Sequence, residues 1–163
     1  MLSGLAPLVS PGTVVLVLGS FPGARSLAER RYYAHPQNQF WTILQAIWPA
    51  KPLPTGVDSY QNRSEWVLDR GLGLWDVYAR CEREGSLDSA IRHGVVNDIA
   101  GLRLPRLAAI AHNGGESFRH ARHGAALGLP VYRLPSTSPA SAAWRFERKL
   151  AAWRDVFARH GLV

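Results

Sequence analysis

Apolar residues in this chain are concentrated in four short runs that are separated by longer amphipathic segments. The first run is almost wholly β-branched or aliphatic and ends at a glycine, which is typical of a strand buried on both faces. Three shorter runs follow the same pattern, the last of them more weakly. The predicted strands are residues 13–18, 73–77, 107–111 and 131–134.

The segments between these runs have the periodicity of α-helices. One apolar stripe precedes Pro49 and comprises Phe40, Ile43, Leu44, Ile47 and Trp48. Further helices are predicted from about residue 59 to 70, after Asn113, and over residues 141–157. Strands that alternate with helices predict an α/β fold, here a single domain of residues 1–163 whose parallel sheet is covered on both sides.

Every predicted strand ends in a loop rich in glycine, proline or polar side chains. The carboxyl ends of parallel strands meet at one edge of a sheet, and ligands bind outside that edge. We therefore expect the chemistry to gather there. The four loops are residues 19–23, 76–86, 112–115 and 135–139.

The charge of the chain favours a polyanionic partner. The formal net charge is +7, and all but two of the 19 basic residues are Arg. Arginine presents a planar, permanently charged group that suits phosphate. An alternative interpretation is that a GC-rich genome replaces Lys by Arg throughout, in which case the charge only solvates the surface.

Cysteine usage and hydropathy indicate a cytoplasmic location. Cys81 is the only cysteine, so no disulfide can form within the chain and no zinc site made only of cysteines is possible. The N-terminal residues lack the pattern of a signal peptide, and no apolar run approaches the length of a membrane span. We expect a cytoplasmic protein that has no membrane partner and is a monomer.

The turn after the first strand allows close approach of a ligand to the backbone. Gly19 and Gly23 remove side-chain bulk, and Pro22 fixes the backbone between them. The turn is neither a P-loop nor a dinucleotide-binding glycine loop. A plain strand-to-helix connection remains the simpler alternative.

A loop rich in aromatic and amide side chains precedes the first long helix. Asn38 stands where a helix N-cap is expected, and capping is one interpretation of it. Tyr32, Tyr33 and His35 add ring surface that a cap does not need but an unpaired base does. Binding and capping both stay open for Asn38.

Hydroxyl groups follow the last predicted strand. Ser136, Thr137 and Ser138 offer side-chain hydroxyls and backbone N–H groups ahead of a helix, an arrangement suited to phosphate or to simple capping. His120 and His123 lack a third ligand at suitable spacing, so a zinc site is not expected. No nucleophile with an adjacent base is present, since Cys81 has none near it.

Six segments, taken in order across nearly the whole chain, resemble the uracil-DNA glycosylase superfamily, most closely its hypoxanthine-DNA (deoxyinosine) glycosylase branch. Each segment alone is modest evidence for the family, but the whole set is specific because the segments occur in the same order. The segments are Gly-Ser-Phe-Pro-Gly at 19–23, Tyr-Ala-His-Pro-Gln-Asn-Gln-Phe-Trp at 33–41, Leu-Trp-Asp-Val at 74–77, Gly-Ser-Leu-Asp at 85–88, Asn-Asp at 97–98, and Leu-Pro-Ser-Thr-Ser-Pro-Ala at 134–140.

The resemblance implies a three-layer α/β/α sandwich around a short parallel sheet of about four strands. It implies an enzyme without metal or redox cofactor that flips a deaminated base out of double- or single-stranded DNA and excises it as a monofunctional glycosylase. The essential polar group of the hypoxanthine branch is the Asn of the second segment, so the catalytic role falls to Asn38.

The other site residues are assigned on the same resemblance. Tyr33 is expected to stack on the flipped base, while Asp76 either contacts the base edge or caps the following turn. The remaining base-pocket residues are Gly19, Ser20, Phe21 and Asn113, and the DNA-binding residues are Pro22, Gly23, His35, Ser136, Thr137 and Ser138.

The chain departs from the wider superfamily at three positions. Phe21 stands where many relatives carry an acid or amide that orients water, and Ser20 stands where another branch carries Glu. Ser136 replaces a histidine that helps the base to leave. Neither Phe21 nor Ser20 activates water at neutral pH. Backbone N–H groups near Ser20 and Phe21 are therefore candidate donors for the departing base.

Three other functions compete with hypoxanthine excision. The same fold could act mainly on uracil, including mismatched uracil. A nucleic-acid-binding module that has lost catalysis is encouraged by the missing acid or amide in the first segment. A small-molecule hydrolase is disfavoured, because no set of nucleophile, base and orienting group can be assembled.

Overall fold

The computed structural model describes residues 1–141 and 143–163. In chain order its helices and strands are β1 (Leu2–Ser3), β2 (Val15–Gly19), α1 (Ala24–Glu29), α2 (Phe40–Ile47), α3 (Tyr60–Asp69), β3 (Leu72–Asp76), β4 (Tyr78–Glu82), β5 (Arg92–Val96), β6 (Ala109–Asn113), α4 (Gly115–Phe118), α5 (Arg122–Ala125), β7 (Val131–Leu134) and α6 (Phe146–Arg159). Among these residues, no helix is long and apolar enough to cross a membrane.

The four predicted strands form one parallel sheet, in the order β3-β2-β6-β7. The bounds of β2 and β3 lie within two residues of the prediction, and β7 matches it. The third strand runs two residues further than predicted, so His112 and Asn113 belong to β6 rather than to the loop after it. This confirms the predicted α/β fold with a central parallel sheet.

The sheet is buried on both faces because its strands alternate two apolar sets. Val15 and Val17 of β2 face a core that includes the apolar stripes of α2 and α6. Leu16 and Leu18 face the opposite core, which is closed by residues around α1, α5 and β4. The helix layers on either side make the predicted three-layer arrangement.

A second, antiparallel sheet was not predicted. It has the order β1-β4-β5, and β4 occupies part of the segment that was expected to be a loop. Only Tyr78 and Cys81 of β4 are buried, and its pairing with β5 has register shifts, so no clear apolar pattern marks it. Tyr78 N–H donates to the Ser20 carbonyl (3.0 Å), which fastens this sheet to the turn after β2.

Two helix predictions need correction. The last helix begins at Phe146 rather than at 141, because Ser141 closes a turn onto Ser138 and Arg145 has extended backbone. Position 142 of that predicted range lies outside the described residues. The helix predicted after Asn113 is divided into the short α4 and α5. Helix α1 was not predicted from the sequence.

Candidate active site

A cavity of about 400 Å³ opens at the carboxyl edge of the parallel sheet, within the size range of small-molecule sites. All four loops predicted to meet there contribute to its lining. Every residue named from the sequence lines it: Gly19, Ser20, Phe21, Pro22, Gly23, Tyr33, His35, Asn38, Asp76, Asn113, Ser136, Thr137 and Ser138.

Gly19 ends β2 directly beside the carboxyl group of Asp76, which ends the neighbouring strand β3. A Cβ atom at position 19 would lie 2.5 Å from Asp76 Oδ1, closer than real Cβ contacts allow. The glycine therefore permits the Asp76 carboxyl group to reach the cavity. The sequence predicted that a ligand would come close to the backbone of this turn, and in the structure the Asp76 side chain does so.

The rest of the turn is held by the segment after β4. Arg83 Nη2 donates to the Pro22 carbonyl (2.7 Å), and its guanidinium lies 5.3 Å from the centre of the Phe21 ring. Ala24 N–H donates to Ser86 Oγ (2.9 Å). Phe21 is buried, and Pro22 is held in place through its carbonyl. Both residues can therefore shape the pocket.

Asp88 is a cavity residue to which the sequence assigned no role, although it lies in one of the segments that carry the resemblance. It begins a short 3-10 helix, Asp88–Ala90, and its Oδ1 accepts a hydrogen bond from Ser20 Oγ (2.5 Å). Burial raises the pKa of the Asp88 carboxyl, against the effect of the Ser20 bond. The Ser20 side chain is thereby committed to Asp88.

Asp76 is a buried acid inside the cavity. Its side chain is only 6% exposed, and its Oδ2 is buried without a hydrogen-bond partner among the described residues. Loss of hydration, together with the smaller effect of the neighbouring Asp88, raises the pKa of Asp76 to about 7 against the opposing effect of Arg83. Because no described N–H donates to this carboxyl, the alternative that Asp76 caps a turn is not supported.

Asn38 combines the two roles that its sequence position left open. Its Oδ1 accepts a hydrogen bond from Phe40 N–H (3.0 Å), the first N–H of α2, so the side chain caps the helix from the residue before the N-cap position, Gln39. The same side chain lines the cavity, and its Nδ2 group has no partner in the described part of the chain. The free half of the amide is a hydrogen-bond donor.

Tyr33 is held in the cavity wall in an unusual backbone conformation. Its φ is +56°, a region that non-glycine residues seldom adopt and that is often found at functional sites. Its ring stacks on Phe40, with centroids 4.0 Å apart and planes 20° apart. The ring is fixed for stacking, and its contact with a base remains a prediction.

Asn113 and Thr137 hold each other rather than project toward a ligand. Asn113 Nδ2 donates to Thr137 Oγ1 (3.0 Å) and to Tyr33 Oη (3.2 Å), and Asn113 Oδ1 accepts from Thr137 N–H (3.0 Å). Thr137 is fully buried. The polar groups of both side chains are thus used internally, while Asn113 lines the pocket as predicted and contact of Thr137 with DNA stays a prediction.

The remaining predicted DNA-binding residues lie at or near the rim of the cavity. Ser136 Oγ accepts from Ser138 N–H (3.1 Å), and Ser138 Oγ accepts from Ala140 N–H (3.3 Å). His35 is exposed, and its Nδ1 accepts from Gln37 N–H (3.1 Å). These bonds shape the loops, and contact with DNA stays a prediction.

No group of three metal-ligating side chains with suitable geometry occurs in residues 1–141 and 143–163. His120 instead shares a hydrogen bond with the hydroxyl of Tyr78 (2.8 Å), which also donates to Glu116 Oε1 (2.9 Å). Cys81 is buried, and burial raises the pKa of its thiol, which makes it a poor nucleophile.

A parallel α/β sheet with a polar cavity at its carboxyl edge defines a class of ligand-binding domain. The model of the uracil DNA glycosylase superfamily matches residues 6–157, and the chain belongs to that superfamily. Two curated relatives are named hypoxanthine DNA glycosylase. The protein from Methanosarcina barkeri is 33% identical over 162 residues, and the protein from Methanosarcina acetivorans is 32% identical over 160 residues. In both cases the match covers 96% of this chain and 98% of the relative.

A solution NMR structure has the same fold. It is of a Methanosarcina acetivorans protein provisionally described as a uracil DNA glycosylase, with a TM-score of 0.83 and 29% identity over 96% of each chain. These similarities confirm the family and the fold that the six sequence segments indicated.

Proposed function

We propose that this chain is a monofunctional DNA glycosylase that flips hypoxanthine out of DNA and hydrolyses its N-glycosidic bond, leaving an abasic site. The observation that carries the proposal is the meeting of Asn38, Tyr33 and Asp76 in one cavity of suitable size. The names of the two Methanosarcina relatives support hypoxanthine as the base.

The chemistry requires little beyond positioning and electrostatics. Cleavage passes through an oxocarbenium-like sugar, so positive charge grows on the deoxyribose and negative charge grows on the departing base. Preorganised donors that face the base stabilise that transition state. The N–H groups of Ser20 and Phe21, which have no acceptor within the described residues, remain candidates for this task.

Asn38 acts through the free half of its amide. Because Oδ1 is held by Phe40 N–H, the side chain has one defined orientation, which is what positioning catalysis needs. Its Nδ2 group donates either to an acceptor of the base or to the oxygen of the attacking water. Tyr33, fixed against Phe40, supplies the stacking surface for the flipped base.

Uracil is the second candidate substrate. It is favoured by the superfamily that the chain matches and by the description of the NMR structure. The proposal also includes a monomer that acts on double- or single-stranded DNA in the bacterial cytoplasm. The net charge of +7 supports the DNA substrate, and the single cysteine fits a reducing cytoplasm.

The test is excision from labelled oligonucleotides that carry hypoxanthine, uracil, xanthine or ethenoadenine, followed by alkaline cleavage of abasic sites. We expect hypoxanthine to give the fastest single-turnover reaction, and Asn38→Ala to slow it by about 100-fold or more. Faster excision of uracil would assign the second candidate. If no product forms from any duplex, the remaining interpretation is a DNA-binding module without catalytic activity.

Two variants separate catalysis from capping at position 38. Asn38→Asp keeps an oxygen that caps α2 but replaces the donor group, so it should retain stability and lose excision. Gln37→Ala, in the same turn and exposed, is the matched control and should behave as wild type. Full activity of Asn38→Ala would contradict the assignment.

A further inference from the structure

Asp76 is a buried acid that lines the cavity, and the proposed excision leaves its carboxyl group without a defined role. It lies at the end of β3 and lines the cavity, and Gly19 lets it approach the end of β2. Its Oδ2 has no partner among the described residues. The other buried polar side chains of the cavity are hydrogen-bonded, namely Ser20, Ser26, Asn113 and Thr137. An unpaired buried polar atom at a cavity is costly unless a ligand completes it.

The charged and titratable groups around Asp76 come from every segment packed against it. From the segment after β4 come Asp88, whose charge opposes ionisation of Asp76, and Arg83, whose charge favours it. From the loop before α2 come the phenols of Tyr32 and Tyr33. Arg83 is engaged with the Pro22 carbonyl and the Phe21 ring, and no described salt bridge joins it to Asp76. Burial and the second acid therefore dominate, and they keep the carboxyl mainly neutral below neutral pH.

A neutral and an ionised carboxyl group select opposite partners. The neutral acid carries an O–H that donates to a carbonyl oxygen, while the carboxylate only accepts. Adenine and cytosine present an amino group at the position where their deaminated products, hypoxanthine and uracil, present a carbonyl oxygen. As the glycosidic bond breaks, the departing base becomes anionic and its carbonyl oxygen becomes a stronger acceptor.

We propose that Asp76 acts as a neutral carboxylic acid that donates a hydrogen bond to the carbonyl oxygen of the flipped base and thereby selects deaminated bases. This inference rests on the proposed function and adds the group that recognises the substrate class. Ionisation of Asp76 places a carboxylate against that oxygen, which removes the donor and adds repulsion. Asp76 is thus a specificity-determining residue whose protonation controls excision.

The experiment measures single-turnover excision of hypoxanthine as a function of pH. Wild type should lose about tenfold in rate for each pH unit above neutrality, since only the neutral acid is active. Asp76→Asn cannot ionise and still carries donors, so its rate should stay flat over the same range. A second variant, Asp88→Asn, keeps an acceptor for Ser20 but removes a negative charge near Asp76, so the break in its profile should move to lower pH.

The outcomes are distinct. A flat wild-type profile, or an Asp76→Asn profile that falls as wild type does, overturns the role of Asp76 even though excision occurs. If Asp76→Asn does not fold, the direction of the Asp88→Asn shift decides, and an unmoved break counts against the proposal. Absence of excision by wild type at every pH and from every duplex is instead a failure of the proposed function.

Discussion

At position 19 a single hydrogen in place of a methyl group decides whether Asp76 can reach the cavity. Gly19→Ala puts Cβ 2.5 Å from Asp76 Oδ1, so the carboxyl group or the end of β2 must move. A displacement of about 1 Å at a catalytic centre costs roughly 100-fold in rate, and we expect a loss of that size in single-turnover excision.

The control for this variant is Gly12→Ala. A Cβ there would meet only Ser10 Oγ, at an ordinary 3.6 Å, and the φ of Gly12 does not lie in the left-handed region. Its excision rate and its urea unfolding midpoint should both match wild type. Wild-type excision by Gly19→Ala would show that the position of Asp76 has no bearing on the reaction.

The loops at the strand ends, together with the family resemblance, pointed to many of the residues that line the cavity, but not to Asp88 and not to which residues bond to one another. Asn113 and Thr137 are 24 positions apart and Ser20 and Asp88 are 68 apart, so their pairing depends on how β6, β4 and the loops are packed. A polar side chain at a strand end indicates a site. Whether that side chain faces the ligand or holds the wall is decided by the tertiary fold.

At the scale of elements, Lys149 connects three segments that the site requires. It lies on α6 and is only 2% exposed, and its Nζ donates to Gln39 Oε1 (3.1 Å) and to the Ser141 carbonyl (2.7 Å). It therefore ties α6 to the loop around Ser138 and to the residue before α2. Gln39 N–H in turn donates to the Thr137 carbonyl (3.0 Å).

Lys149→Met should loosen this connection with little loss of overall stability. Replacing a buried charge by an apolar side chain of similar length changes unfolding free energy by about 1–2 kcal/mol at most, because the desolvation cost also disappears. We expect faster amide exchange over residues 136–141 and slower excision. Lys51→Met, at the chain's other, exposed lysine, is the matched control, and equal exchange in both variants would contradict the role.

The elements that the apolar pattern predicted are those buried on a continuous face. Strands β2, β3 and β6 are buried throughout, and α2 has a complete apolar stripe, so periodicity was sufficient to predict them. Strand β5 is exposed over four of its five residues and β1 has only two residues, so neither gives a pattern. Such strands form because a partner strand is present, and a local pattern does not contain that information.

At the scale of the whole molecule, two buried ionisable groups oppose each other in the pH dependence of stability. They lie on β3 and β6, the two strands that flank β2. Burial lowers the pKa of His112 from 6.5 to about 4, and burial raises the pKa of Asp76 from 3.8 to about 7. The His112 contribution is present above about pH 6.5 and is lost as pH falls through about 4. The Asp76 contribution is present below about pH 3.8 and is lost as pH rises through about 7.

Because the two pH ranges overlap, the effects of Asp76 and His112 on the unfolding free energy largely cancel in wild type. A variant that removes one of the two groups should therefore show the effect of the other. As the pH is raised from 4 to 7, the unfolding free energy of Asp76→Asn should increase relative to that of wild type, and that of His112→Gln should decrease. Each change should be on the order of 2–4 kcal/mol. Asp76→Asn should be the more stable protein above neutral pH, since it no longer buries an ionising acid for the sake of the site. Urea denaturation at several pH values, with exposed His93→Gln as the control, measures these differences. If the unfolding free energies of all four proteins change with pH in the same way, then neither Asp76 nor His112 has a pKa shifted by burial.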